Sequence, residues 1–255
     1  MDVNFVQTDS VVWKIWGKAD TVLFIFAGAA AEFALNKAVD WLYFTGRLPK
    51  DPLGRLFSTV TYAHQIIFSD EKNALRAIDR ITAIHQDVEK NRGAKIPDWA
   101  YRDVLFLLID YSIRSFELLE RKLTDAEKAE VFTVFYRVGA RMKLQGLPGN
   151  YKEWVKMRED HLAQNLLNSN FTIDLYHQYK KHLGALRFAI LTQVQLKLAP
   201  PRVSTLLNLK NQYWLSPLLG LYKLCRMAGI GNTAKNMLLP AAYKTQIKSL
   251  DMERP

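Results

Sequence analysis

Apolar residues along the chain return every three to four positions, and runs of strict two-residue alternation are nearly absent. That is the pattern of amphipathic helices rather than strands. Start signals punctuate it. Asp51-Pro52 places an N-cap before a proline at the first helical position and predicts a helix to about Phe68. Ser69-Asp70-Glu71 opens a second helix, to about Asn91, with Ala74, Leu75, Ile78, Ile81, Thr82, His85 and Val88 on one stripe. Pro97-Asp98 opens a third, with Val104, Leu105, Leu108, Ile109 and Ile113 inward. Thr124-Asp125-Ala126-Glu127 has the form of a capping box and predicts a helix to about Gly146. Further helical patterns cover about 151–167, 172–198, 205–227 and 233–250. The most apolar stretch, Thr21 to Ala31, is bounded by Asp20 and Glu32 and is far shorter than the roughly 20 residues a membrane span needs. It reads as a buried helix. Only 3–12 and 131–134 look strand-like, and the second lies inside a helix pattern. The expected fold is all-α, one domain over residues 1–255, with the apolar, basic helices of 200–250 packed on or flanking it.

Composition narrows the class. At 255 residues and 49% apolar the chain is too hydrophobic to be disordered and long enough for one large core. The single cysteine, Cys225, excludes a disulfide framework and any Cys-based zinc or iron–sulfur site. With no basic residue before Lys14 the N-terminus does not read as a secretory signal, so a cytoplasmic protein is expected. Charge is uneven: residues 200–255 hold eight Lys/Arg against Asp251 and Glu253, a net +6 of the chain's +10. Such a tail suits either a solvated basic face or peripheral contact with an anionic membrane surface. No nucleic-acid-binding motif accompanies it, and no nucleic-acid partner is expected.

Polar residues that interrupt apolar stripes carry the candidate chemistry. His85 lies in the middle of one, and a neutral imidazole there is either a core residue bonded to a carbonyl or a metal ligand. Arg55, Ser58, Thr59 and Tyr62 fall at i, i+3, i+4 and i+7 of the preceding helix and share a face. That face either lines a cavity holding something polar at its edge or looks out to solvent, with Phe57, Val60 and Ile67 turned inward. His64 lies about half a turn from it. His177 and His182 miss the i, i+4 spacing of a helical metal site. Asp110 and Glu117 sit on an otherwise apolar helix without a Glu-x-x-His partner, so a dinuclear carboxylate site is not expected. Phosphate-cradling glycine loops and the Gly-x-Ser-x-Gly elbow are missing.

The stretch Asp51-Pro52-Leu53-Gly54-Arg55-Leu56-Phe57-Ser58-Thr59-Val60-Thr61-Tyr62, with His85 about 26 residues on, resembles the haem-binding core of the rubber oxygenase (latex clearing protein) and MpaB-type oxygenase family. Ser10-Val11-Val12-Trp13-Lys14, the Gly/Ala-rich run 28–35 and Leu238-Leu239-Pro240 echo it elsewhere. The resemblance implies a globin-like helical fold around haem b. It makes His85 the iron ligand and sets Arg55 and Thr59 in the haem pocket, with Ser58 and Tyr62 beside them. Where the rubber oxygenases carry a lysine that can occupy the distal iron site, this chain has Ser58, which cannot ligate in the same way.

The expectation is a haem b-dependent oxygenase or peroxide-using enzyme acting on an apolar small molecule, with His85 on the metal and Arg55 and Thr59 as catalytic residues. Its rival is a non-catalytic helical protein that binds lipid or a hydrophobic partner through the basic C-terminal region.

Overall fold

The structure is a computed structural model that describes residues 3–46, 50–210, 217, 220–222 and 224, with backbone alone at 53, 56 and 57. The described residues form ten helices: α1 (Val11–Trp16), α2 (Ala19–Leu35), α3 (Asp40–Phe44), α4 (Pro52–Ile67), α5 (Glu71–Arg92), α6 (Asp98–Leu119), α7 (Asp125–Arg141), α8 (Tyr151–Gln164), α9 (Asn170–Leu198) and α10 (Pro201–Leu206). Extended pairing among them is limited to two isolated bridges, Asn4 with Asp70 and Asn36 with Leu166. The all-α expectation holds.

The helices begin where side-chain oxygens can take up free backbone amides. Asp51 Oδ1 accepts from the Gly54 amide at 2.8 Å, and Asp70 Oδ1 from the Asn73 amide at 2.9 Å. The Thr124–Glu127 capping box is complete, and Ser169 with Thr172 forms another reciprocal pair at the head of α9. Gly93 ends α5 with φ at +69°, a left-handed cap that glycine adopts without strain.

Helix α2 is the axle. It packs most extensively on α6 and α9, and Ala19, Val22, Ile25, Ala29, Ala31, Ala34 and Leu35 are all buried. Small residues let α6 approach closely: a Cβ built on Gly28 would lie 2.2 Å from the Tyr111 ring, which is itself fully buried. Trp16, Ile67, Ile78, Phe106 and Ile109 complete the main core around this contact. Helices α4 and α5 form an antiparallel hairpin on one flank, with Val60 and Ile67 inward as the periodicity predicts. Tyr222 donates to Asp20 Oδ2 at 2.8 Å and stacks on Phe24, fastening residue 222 to the start of α2.

Several boundaries depart from expectation. The helix opened by Thr124 stops at Arg141 rather than Gly146, and the one from Tyr151 stops at Gln164. The helix expected over 205–227 begins instead at Pro201 and is cut by Asn208, which takes φ of +50°. Its remainder is only partly described, and the pattern at 233–250 and the echo at 238–240 lie outside the described residues. Val104, expected inward, is 38% exposed, while its neighbour Asp103 is buried. Helix α6 is turned toward Asp103 because that carboxylate meets three polar partners inside.

Gly28→Ala is expected to destabilise the fold by about 1–3 kcal/mol, since the added methyl must displace a buried ring. Denaturant unfolding of the two proteins measures it.

Candidate functional site

Two polar groups occupy different parts of this framework. The first lies on the α4–α5 hairpin. Near the start of α4, Arg55 Nη1 donates to Ser58 Oγ and to Thr59 Oγ1, both at 3.1 Å. The two hydroxyls in turn donate to the Arg55 carbonyl, Ser58 at 2.8 Å and Thr59 at 3.2 Å. Their protons are thereby committed to the backbone, and the guanidinium supplies the positive charge of this face. Arg55, Thr59 and Tyr62 are half-buried and Ser58 is exposed, so the face sits at the rim of the core. Tyr62, one turn beyond Thr59, makes no hydrogen bond to the cluster.

His85 lies across the hairpin, near the far end of α5. Its Nδ1 is 2.9 Å from the Ile81 carbonyl, one turn back, and the ring meets Tyr101 edge-on at 5.2 Å. A carbonyl only accepts, so Nδ1 carries the proton and Nε2 presents a lone pair. Burial lowers the His85 pKa below its usual value; the Arg55 guanidinium lowers it further, against the opposing pull of the Ile81 carbonyl and Glu89. The imidazole is therefore held neutral. Around it the covering is thin: Ala74, Ala77 and Ile78 are buried earlier in α5, whereas Ile81, Thr82, His85, Val88 and Glu89 are half-buried and Ile84 is 41% exposed. The structure thus joins Ser58 and Thr59 to Arg55, brings the Arg55 charge within range of His85, and leaves Tyr62 at the margin. His64 is elsewhere, edge-on to Phe68, with a backbone hydrogen bond to Trp16 and its pKa brought down to about 4 by burial.

The second group is one the sequence reading did not assemble. Arg158 of α8 grips Glu32 of α2 through Nη1 and Nη2 at 2.5 and 2.6 Å, and reaches Asp110 of α6 through Nε and Nη2 at 3.2 and 2.9 Å. His161, one turn on, has Nε2 3.0 Å from Glu32 and Nδ1 2.6 Å from Asp103, the latter an ion contact rather than a well-aligned hydrogen bond. Asn36 and Asn165 donate to the other Asp103 oxygen at 3.3 and 2.9 Å. Tyr111 donates to Glu32 at 3.1 Å, and Arg114 to Asp110 at 2.7 Å. Glu32 is fully buried, and Arg158 and His161 are each 4% exposed. Burial alone would raise the Glu32 pKa, but the Arg158 charge and its paired hydrogen bonds, with His161, carry it down to about 2. Burial opposes a charge on His161, yet its close contacts with the carboxylates of Asp103 and Glu32 win, and its pKa is raised. Every carboxylate here is occupied by protein donors, which makes the cluster a lock between α2, α6 and α8 rather than a reaction centre.

Sequence reasoning weighed Asp110 but passed over Glu32, Asp103, Arg158 and His161. One signal was available: Trp154, Arg158 and His161 fall at i, i+4 and i+7, so a tryptophan that must be buried carries a cation and an imidazole inward with it. Glu117 is largely buried and paired with Lys122 and Lys128. Among the described residues no group of three or more His, Cys, Asp or Glu is set to hold a metal ion, and no helix is long and apolar enough to cross a membrane.

The site so described is a neutral histidine on α5 beside an arginine–hydroxyl face on α4, within an all-α frame. Residues 13–229 match the family model of the ER-bound oxygenase mpaB/B'/rubber oxygenase catalytic domain, and the chain belongs to that family. No significant match was found among the curated proteins or the solved structures. Membership makes the chain an oxygenase-type enzyme, favouring that reading over a non-catalytic helical module.

Two outcomes are expected of the lock. Arg158→Leu leaves Glu32 and Asp110 buried without a counter-charge and should cost about 3–5 kcal/mol in denaturant unfolding, if the variant folds at all. Because the His161 pKa is raised, its contribution is fully present below the unfolded value of about 6.5 and is lost as pH rises through the folded value. Wild type should therefore lose stability above about pH 6.5 more steeply than His161→Gln. Equal slopes for the two proteins would remove His161 as the titrating group.

Proposed function

We propose that the protein is a haem b-dependent oxygenase in which His85 ligates the iron and Arg55, with Ser58, Thr59 and Tyr62 beside it, serves the oxidant. One observation carries the reading: the Ile81 carbonyl fixes the His85 proton on Nδ1 and leaves Nε2, on a ring kept neutral, as a lone-pair donor without a protein partner. Metal-bound histidines are oriented in this way, with the other ring nitrogen tied to a carbonyl or carboxylate. Haem, if bound, would supply a redox-active iron for chemistry with O₂ or peroxide.

The chain's own residues account for the rest. The His85–Ile81 bond sets the ring's orientation and enriches Nε2 in electron density. Arg55 is oriented by Ser58 and Thr59 through Nη1, and its charge suits an oxygen species or a carboxylate rim. Thr59 and Ser58 act through Arg55, because their own protons are spent on its carbonyl. Thin apolar covering at Ile81, Ile84 and Val88 suits a flat, greasy cofactor and an apolar small-molecule substrate.

Protein purified from cells supplied with haem should show a Soret band. His85→Ala should lose most of it, whereas Arg55→Leu should keep the haem and weaken binding of an anionic iron ligand such as azide. A colourless wild-type protein overturns the proposal.

A further inference from the structure

We propose that Arg92 forms a carboxylate-binding site for a haem propionate, two turns along α5 from His85; this rests on the haem reading above. The guanidinium is held from two sides. Nη2 donates to Asp40 Oδ2 at 2.6 Å, and the carbon centre stands 4.0 Å over the Trp41 ring and 5.5 Å from that of Phe44. Nη1 is buried and has no hydrogen-bond partner. A buried cationic N–H without an acceptor is costly and uncommon in a native structure. A planar guanidinium with one edge unused is the group best matched to a second carboxylate.

Position makes that carboxylate a propionate. Arg92 follows His85 by seven residues, so both lie on one face of α5 about 10 Å apart along its axis. That is the reach from the centre of a porphyrin to the acid groups on its rim. Between them, Glu89 is turned to the Tyr101 hydroxyl at 3.0 Å and the Ile96 amide at 2.9 Å through Oε1, while the ion pair of Arg92 is made with Asp40. Arg92 is thus a cation of α5 with a buried donor that asks for an anion.

The test is titration of the full-length apoprotein with hemin and with hemin dimethyl ester, followed by Soret absorbance. Wild type should bind the free acid more tightly than the ester by about tenfold or more. Arg92→Gln should weaken free-acid binding by a similar factor and shrink the preference. Asp40→Asn, which leaves Arg92 in place and removes its competing carboxylate, should enlarge it. Arg141→Gln, whose pair with Asp79 lies on the exposed surface, should change neither value. Equal affinity of wild type for both porphyrins overturns the site, as does Arg92→Gln retaining the wild-type preference or Asp40→Asn leaving it unchanged. Uptake of neither porphyrin by wild type overturns the haem reading itself, and the site with it.

Discussion

The fold depends on one bidentate ion pair, Arg158 with Glu32, made in the middle of the core where neither charge meets water. Desolvating two ions is expensive, and only close geometry with every remaining lone pair occupied makes it tolerable. Here Tyr111, His161, Asp110, Asp103 and the two asparagines supply that completeness. Three carboxylates face two arginines and a histidine, so the group is neutral only with the imidazole protonated. An apolar core accepts many near-equivalent packings, whereas this set of bonds closes in one register of α2, α6 and α8. It fixes the end of α2, and hence the departure of the chain toward α3 and α4.

Two histidines show how far surroundings decide a side chain's chemistry. His161 lies between two carboxylates, which favour its charged form; His85 is tied to a carbonyl near a guanidinium, and burial favours its neutral form. The first is spent on the fold. The second keeps its lone pair, which is what a metal requires of it. Their separation lets the charged lock bear the stability while the α4–α5 face stays thinly covered.

Much of the fold was legible because local chemistry dictates it. Asp51, Asp70 and Thr124 each cap a helix, and a cap needs only the next three residues to act. The inward positions of α4 and α5 followed from periodicity for the same reason. The Arg55, Ser58 and Thr59 face was visible as a stripe, and the structure adds that these side chains bind one another. What could not be read was the long-range pairing of Glu32 with Arg158, 126 residues apart, or of Asp103 with His161. Nothing near Glu32 in sequence names its partner, and a carboxylate at the end of an apolar run reads as a boundary. The error at Val104 is the same blindness in another form: hydropathy turns α6 toward a valine, and an unseen ion contact turns it toward Asp103.

Helix α9 carries a glycine, Gly184, at φ of +76°, with nothing near where its Cβ would be. As an unbroken rod its 29 residues would run about 43 Å, about the full width of a domain of this size. The elbow lets a single stretch of chain serve two walls. Its first arm lays Leu175 and Tyr179 against the junction after α2, and its second sends Gln195 back to the Ala27 carbonyl and Gln193 to that of Lys210. A side chain at residue 184 would meet no obstacle in space. It would resist only the backbone angle, and so would act on the bearing of the second arm while leaving every contact of the first untouched.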